Sequence, residues 1–158
     1  MSTRTKERRT RELLVDKLDP KRWVTLSKNT GGIRVYQLWV DKKTGAHFCL
    51  LDVPKDGTVP IRHRHASNQF MYCLKGQYEY KTPGGRLVLK PGSFYMNPKG
   101  NYHGPTVARS RCLLLECYDG PHYFEKPSFH TSKTIGRMAA KASAKKRAAK
   151  RSGSPRRR

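Results

Sequence analysis

Two histidines, His63 and His65, stand on either side of Arg64. In an extended chain successive side chains point to opposite faces, so an i, i+2 pair puts both imidazoles on one face about 7 Å apart along the strand, close enough to share one metal ion. Other residues punctuate the pair at fixed intervals. Gly57 lies six residues before His63, Gln69 lies four after His65 with the same parity, and Gly76 lies seven beyond Gln69, giving G-x5-H-x-H-x3-Q-x6-G. A second cluster, Gly92, Pro98, Gly100 and His103, is spaced G-x5-P-x-G-x2-H. Its Pro and Gly supply a tight turn that would carry His103 back over the same face. The chemistry such a set serves is the binding of a divalent ion.

Positioning these residues requires short strands. Between residues 32 and 118 the chain reads as β-branched and aromatic runs, GIRVYQLWV, AHFCLLDV, TVPIRHRH, QFMYCLKG, QYEYKT, RLVLKPG, SFYMNP, YHGPTV and RCLLLECY. Breakers part them: Lys42 to Gly45, Pro54 to Gly57, Lys75-Gly76, Pro83-Gly84-Gly85, Pro91-Gly92 and Pro98 to Asn101. Many short strands at this spacing predict an all-β antiparallel sandwich or small barrel of the jelly-roll type. Helical patterning is confined to the ends, at Thr5 to Leu18 and Ala139 to Lys150.

The two motifs resemble those of the cupin superfamily, whose first motif reads G-x5-H-x-H-x3,4-E-x6-G and second G-x5-P-x-G-x2-H-x3-N. The likeness covers roughly residues 32 to 125 and agrees in spacing throughout; it departs in identity at Gln69, where the family has Glu, and at Val107, where it has Asn. The resemblance implies a cupin jelly-roll β-barrel with His63, His65, Gln69 and His103 as ligands of one divalent metal, Fe(II) being the expectation and Zn, Ni, Mn or Cu the alternatives. An amide in place of a carboxylate leaves the ion its full charge in a partly desolvated pocket, which favours an anionic chelating ligand. Within the superfamily, the pair His103-Gly104 and the element Gly120-Pro121-His122-Tyr123-Phe124 are similar to those of small dioxygenases that act on diketones and hydroxyacetophenones with non-haem iron. That similarity implies a metal-dependent dioxygenase-like enzyme acting on a small anionic carbonyl or phenolic substrate. A metal- or ligand-sensing cupin, or an isomerase or lyase, is the alternative. A homodimer is expected by the same resemblance.

If parity with His63 holds, Met71 and Cys73 face the interior and line the pocket, with Phe70 and Tyr72 outside. Tyr95 and Tyr102, in or beside the second motif, could reach a substrate. Glu116 would be the most interesting acid if it pointed inwards, although an alternating strand places a Glu more often towards solvent. His47, His122 and His130 match no ligand spacing and read as surface or core.

The charge divides the chain in three. Of the formal +23, residues 1–20 carry +2, residues 21–130 carry +10 and residues 131–158 carry +11. The expected organisation is a basic N-terminal arm (1–20), the barrel (21–130) and a disordered Ala/Lys/Arg-rich tail (131–158), whose apolar side chains larger than Ala are Ile135 and Met138. Residues 133–158 are suited to non-specific contact with nucleic acid or another polyanion. Four cysteines within apolar runs read as buried free thiols of a reducing compartment. No stretch reaches the roughly 18 apolar residues of a membrane span, and the first residues lack the apolar core of a secretory signal. A cytoplasmic protein is expected, with nucleoid or nuclear association through the tail.

Overall fold

The computed structural model describes residues 17–130. Nearly all of the segment 5–18, and the whole of residues 131–158 with the segment 139–150, lie outside them. Ten strands follow in chain order: β1 (Val24–Thr25), β2 (Arg34–Val40), β3 (His47–Val53), β4 (Thr58–Val59), β5 (Gln69–Lys75), β6 (Tyr78–Thr82), β7 (Gly85–Leu89), β8 (Phe94–Asn97), β9 (Thr106–Ala108) and β10 (Cys112–Tyr118). Two short 3-10 turns, Pro20–Arg22 and Lys28–Thr30, flank β1.

All the pairings are antiparallel. They build a six-stranded sheet in the order β1-β2-β3-β10-β5-β8 and a four-stranded sheet in the order β4-β9-β6-β7. Facing one another, the two sheets enclose a core that includes Ile33, Val53, Cys73, Leu89 and Leu114. The jelly-roll expectation is met.

Register explains which side chains enter. Tyr118 pairs with His47 and Gln69, Glu116 with Cys49 and Met71, and Leu114 with Leu51 and Cys73. With period-two alternation these residues share the inner face, and all of them are buried. The other parity is apolar too: Trp39, Phe48, Tyr72, Phe94 and Met96 stay exposed on the outer face of the same sheet. Cys49, Cys73 and Cys112 are buried, and all four cysteines are free thiols.

One difference from the sequence reading concerns the site. The run TVPIRHRH forms a strand only at Thr58–Val59; Pro60 has no N–H to continue a ladder. His63 and His65 therefore lie in irregular chain. His63 is held instead by an isolated bridge to His103, each backbone N–H donating to the other's carbonyl at 2.9 Å. At Gly104, φ is +88° and a Cβ would stand 2.9 Å from the Ile61 carbonyl oxygen, so this bridge needs glycine beside His103.

Candidate metal centre

The bridge places His103 and His63 side by side, and His65 joins them two residues on. Nε2 of His103 lies 3.0 Å from Nε2 of His63 and 3.1 Å from Nε2 of His65. Their tautomers follow from the other ring nitrogen. A carbonyl can only accept, so Nδ1–H of His63 donates to Ile61 (3.2 Å) and Nδ1–H of His65 donates to His122 (3.3 Å). Nε2 of both rings then carries a bare lone pair. Nδ1 of His103 lies 3.4 Å from the Tyr95 hydroxyl. Whatever its tautomer, a single His103 N–H can satisfy only one of two bare nitrogens. A cation among the three satisfies all of them, so the donor set fits a divalent metal ion.

Burial keeps these donors neutral. It pushes His63 down to about 4 and, together with the neighbouring His63 imidazole, His103 down to about 3. His65 is held well below its ordinary value, by burial first and then by the rings of His122, His63 and His103. Carbonyl acceptors behind two of the rings orient the ligands as the partners of metal-bound histidines do.

Gln69 lines the same cavity. Its Nε2 donates to Glu116 Oε1 at 3.1 Å and to the Tyr118 hydroxyl at 2.9 Å. Its Oε1 is buried with no hydrogen-bond partner among the described residues. Glu116 points inwards and is buried, which corrects the reading that turned it to solvent. Burial raises its carboxyl to about 7, against hydrogen bonds from Tyr118, Gln69 and Cys49 that lower it.

The remaining candidates separate. Tyr95 is half-buried and its ring stacks on Tyr80 at 4.9 Å. Met71 and Cys73 face inwards as parity predicts, but they are not among the residues lining the histidine cavity; Met71 Sδ accepts from the Tyr80 hydroxyl at 3.2 Å and Cys73 packs in the core. The barrel interior is longer than the cavity, which is why parity alone overextends it. Tyr102 is exposed outside, under the guanidinium groups of Arg64 (5.3 Å) and Arg62 (5.6 Å).

Motif spacing missed His122 and His130. His122 is buried and His130 half-buried, and both line the cavity with Tyr123 and Phe129. His122 stacks on His65 with centroids 5.1 Å apart, Phe129 meets His63 edge-on at 4.9 Å, and the Tyr123 hydroxyl lies 2.8 Å from His130 Nε2. These residues come from the segment after β10, and the element Gly120 to Phe124 was the part of it visible in the sequence. His47 is a core residue whose Nδ1–H donates to Gly45 at 2.9 Å. The cavity they line is about 30 Å³, room enough for a water molecule or an ion.

Comparison with known proteins agrees with this fold. An acetylacetone dioxygenase from Acinetobacter johnsonii is similar with a TM-score of 0.61 at 20% identity, over 86% of this chain and 92% of that one. KdgF from Halomonas sp. is similar with a TM-score of 0.58 at 16% identity, over 71% and 94%. The structure of Rhodobacter sphaeroides SigE in complex with the anti-sigma ChrR matches with a TM-score of 0.51 at 27% identity, over 65% of this chain and 52% of that chain. The HTH-type transcriptional regulator YobQ of Bacillus subtilis (strain 168) is 33% identical over 55 residues, 34% of this chain; the match spans 23% of that regulator's length. No helix among the described residues is long and apolar enough to cross a membrane. The model of the ChrR cupin-like domain matches residues 11–120, and with the barrel and its histidines this chain belongs to that family of the cupin superfamily.

Proposed function

We propose that the barrel holds one divalent metal ion on His63, His65 and His103 with Gln69 as a fourth donor, and that it acts as a non-haem Fe(II) dioxygenase-like cupin on a small anionic chelating carbonyl or phenolic substrate. The observation that carries this reading is the meeting of three neutral Nε2 atoms at 3.0–3.1 Å. A shell of neutral donors leaves the ion's charge for the substrate to neutralise, which favours an enolate or phenolate chelator. An iron ion bound there would supply Lewis acidity and oxygen chemistry.

The chain's own residues do the rest. Tyr123, Phe129 and Tyr80 exclude water, and His122 and Tyr123 stack on His65 and hold its ring. Tyr95 presents a hydroxyl beside His103. Glu116 lies buried beneath Gln69 and accepts from its amide nitrogen at 3.1 Å. Tyr123, Phe129 and His130 line the cavity on the side of the segment after β10 and bound the space left for a substrate.

The test is elemental analysis of untagged protein purified anaerobically without chelators, wild type beside His63→Ala/His65→Ala. About one equivalent of iron, lost in the variant, together with oxygen uptake on a short β-diketone, supports the proposal. Zinc or nickel moves it to isomerase or lyase chemistry, and no metal after reconstitution overturns it.

A second reading, a metal- or ligand-sensing module without turnover, is favoured by the ChrR cupin-like family and by the stretch shared with a transcriptional regulator. Metal binding without oxygen uptake would support it. In either case the proposal includes a barrel over residues 21–130 between basic ends, polyanion binding through residues 133–158 and a cytoplasmic setting. It also includes a homodimer covering the exposed apolar face around Trp39, Phe48 and Phe94.

A further inference from the structure

The direction of the hydrogen bonds around Gln69 is fixed from one end. Three donors, Gln69 Nε2, the Tyr118 hydroxyl and the Cys49 thiol, surround the Glu116 carboxyl, and in its ionised form it only accepts. The Tyr118 hydroxyl therefore donates to Glu116 Oε2 at 3.3 Å and turns its oxygen lone pairs to Gln69. Gln69 Nε2, 2.9 Å from that oxygen and 3.1 Å from Glu116 Oε1, spends both hydrogens on these two acceptors. Flipping the amide would set its oxygen against a carboxylate oxygen and against lone pairs. Oε1 is thus the amide atom left over, buried without a partner in a side chain that lines the histidine cavity. An unmade hydrogen bond on a buried carbonyl is costly, and such exceptions call for a ligand.

We infer that Glu116 is a positioning residue for the metal centre: through Tyr118 and the Gln69 amide nitrogen it locks Gln69 so that its carbonyl oxygen, and never its NH2, is offered to the ion. This rests on the proposed metal reading and deepens it. A family glutamate needs no such lock, since its two oxygens are equivalent. An amide ligand has a wrong end, and Glu116, reaching in from β10 opposite Met71, forbids it.

The test uses the full chain and Co(II), titrated by calorimetry and by visible absorption, on wild type, Glu116→Leu, Gln69→Ala and the double variant, with His65→Ala as control. Leu keeps the bulk at position 116 and removes the acceptor. Glu116→Leu is expected to weaken Co(II) binding by about tenfold or more, in the range found for outer partners of metal ligands. Its bound Co(II) spectrum should match that of Gln69→Ala, and adding it to Gln69→Ala should change nothing further, because it acts only through that side chain. Wild-type affinity in Glu116→Leu, or equal and additive losses in both backgrounds, overturns the inference. If Glu116→Leu does not fold, Tyr118→Phe, which removes the second acceptor and keeps the ring, is read in the same cycle. Wild-type protein that binds no Co(II), or His65→Ala that binds it as well, overturns the metal reading and this inference together. The control separates that case, because it fails before position 116 is changed.

Discussion

On β5 the inward side chains run Gln69, Met71, Cys73, and on β10 beside it they run Tyr118, Glu116, Leu114, Cys112. The same two strands thus build two ends of one interior. At one end lie amide, hydroxyl, carboxyl and imidazole groups, almost every one of them hydrogen-bonded; at the other, Cys73, Cys112 and Leu114 pack with Val53 and Leu89, none of which lines the histidine cavity. Strand alternation decides which way a side chain points and is indifferent to its chemistry. The apolar end supplies burial, and the polar end spends part of that stability on holding groups that water would otherwise solvate. The comparison teaches that the candidate metal centre and the apolar core are carried by different side chains of shared strands.

Substitutions at the two ends can break that separation. The largest effect is expected for His65→Ala: metal stoichiometry at micromolar ion falls from one to near zero by elemental analysis, while the metal-free protein still melts cooperatively. Leu114→Ala, in the dry end, should do the reverse. It opens a cavity costing about 3 kcal/mol by denaturant titration, with metal stoichiometry retained; loss of both would show that the ends are coupled. A smaller effect is expected outside the barrel, at the ion pairs of Asp52 with Arg34 and Arg111. Burial pushes the Asp52 carboxyl up, but the guanidinium groups of Arg111 and Arg34 outweigh it and hold the group below its ordinary 3.8. A depressed carboxylate contributes stability above its unfolded value and loses it as pH falls through the folded one. Asp52→Asn should therefore cost about 1 kcal/mol at pH 7, solvent screening of the exposed arginines included, and the difference should vanish in thermal melts taken progressively below pH 4. The smallest effect is expected for Tyr102→Ala, on the outer surface, which should move stability by no more than about 0.5 kcal/mol and leave metal binding unchanged.

Much of this was legible in the residues. The barrel followed from the spacing of breakers, and the meeting of His63, His65 and His103 from two motifs whose glycines and proline set the turns. The direction of Glu116 was not legible, for a physical reason. In CLLLECY both parities are apolar, because the outer face of the six-stranded sheet is itself apolar, so no polar alternation marks which side is in. Met71 and Cys73 were given the right face but the wrong depth, since parity carries no information on how far a cavity extends. His122 and His130 come from chain beyond the last strand, where no period applies and position is set by packing on His65 and Tyr123.

The chain has two tryptophans, and neither lies in the cavity. Trp39 is exposed on the outer face with its ring edge-on to Phe48, and Trp23 sits against Tyr36. The interior end that holds the histidines is lined by tyrosines instead, Tyr78, Tyr80, Tyr118 and Tyr123. Indole emission therefore reads the chain outside the chamber and whatever covers the outer face, whereas phenol absorbance mixes the four tyrosines of the chamber with Tyr36, Tyr72, Tyr95 and Tyr102, which do not line it.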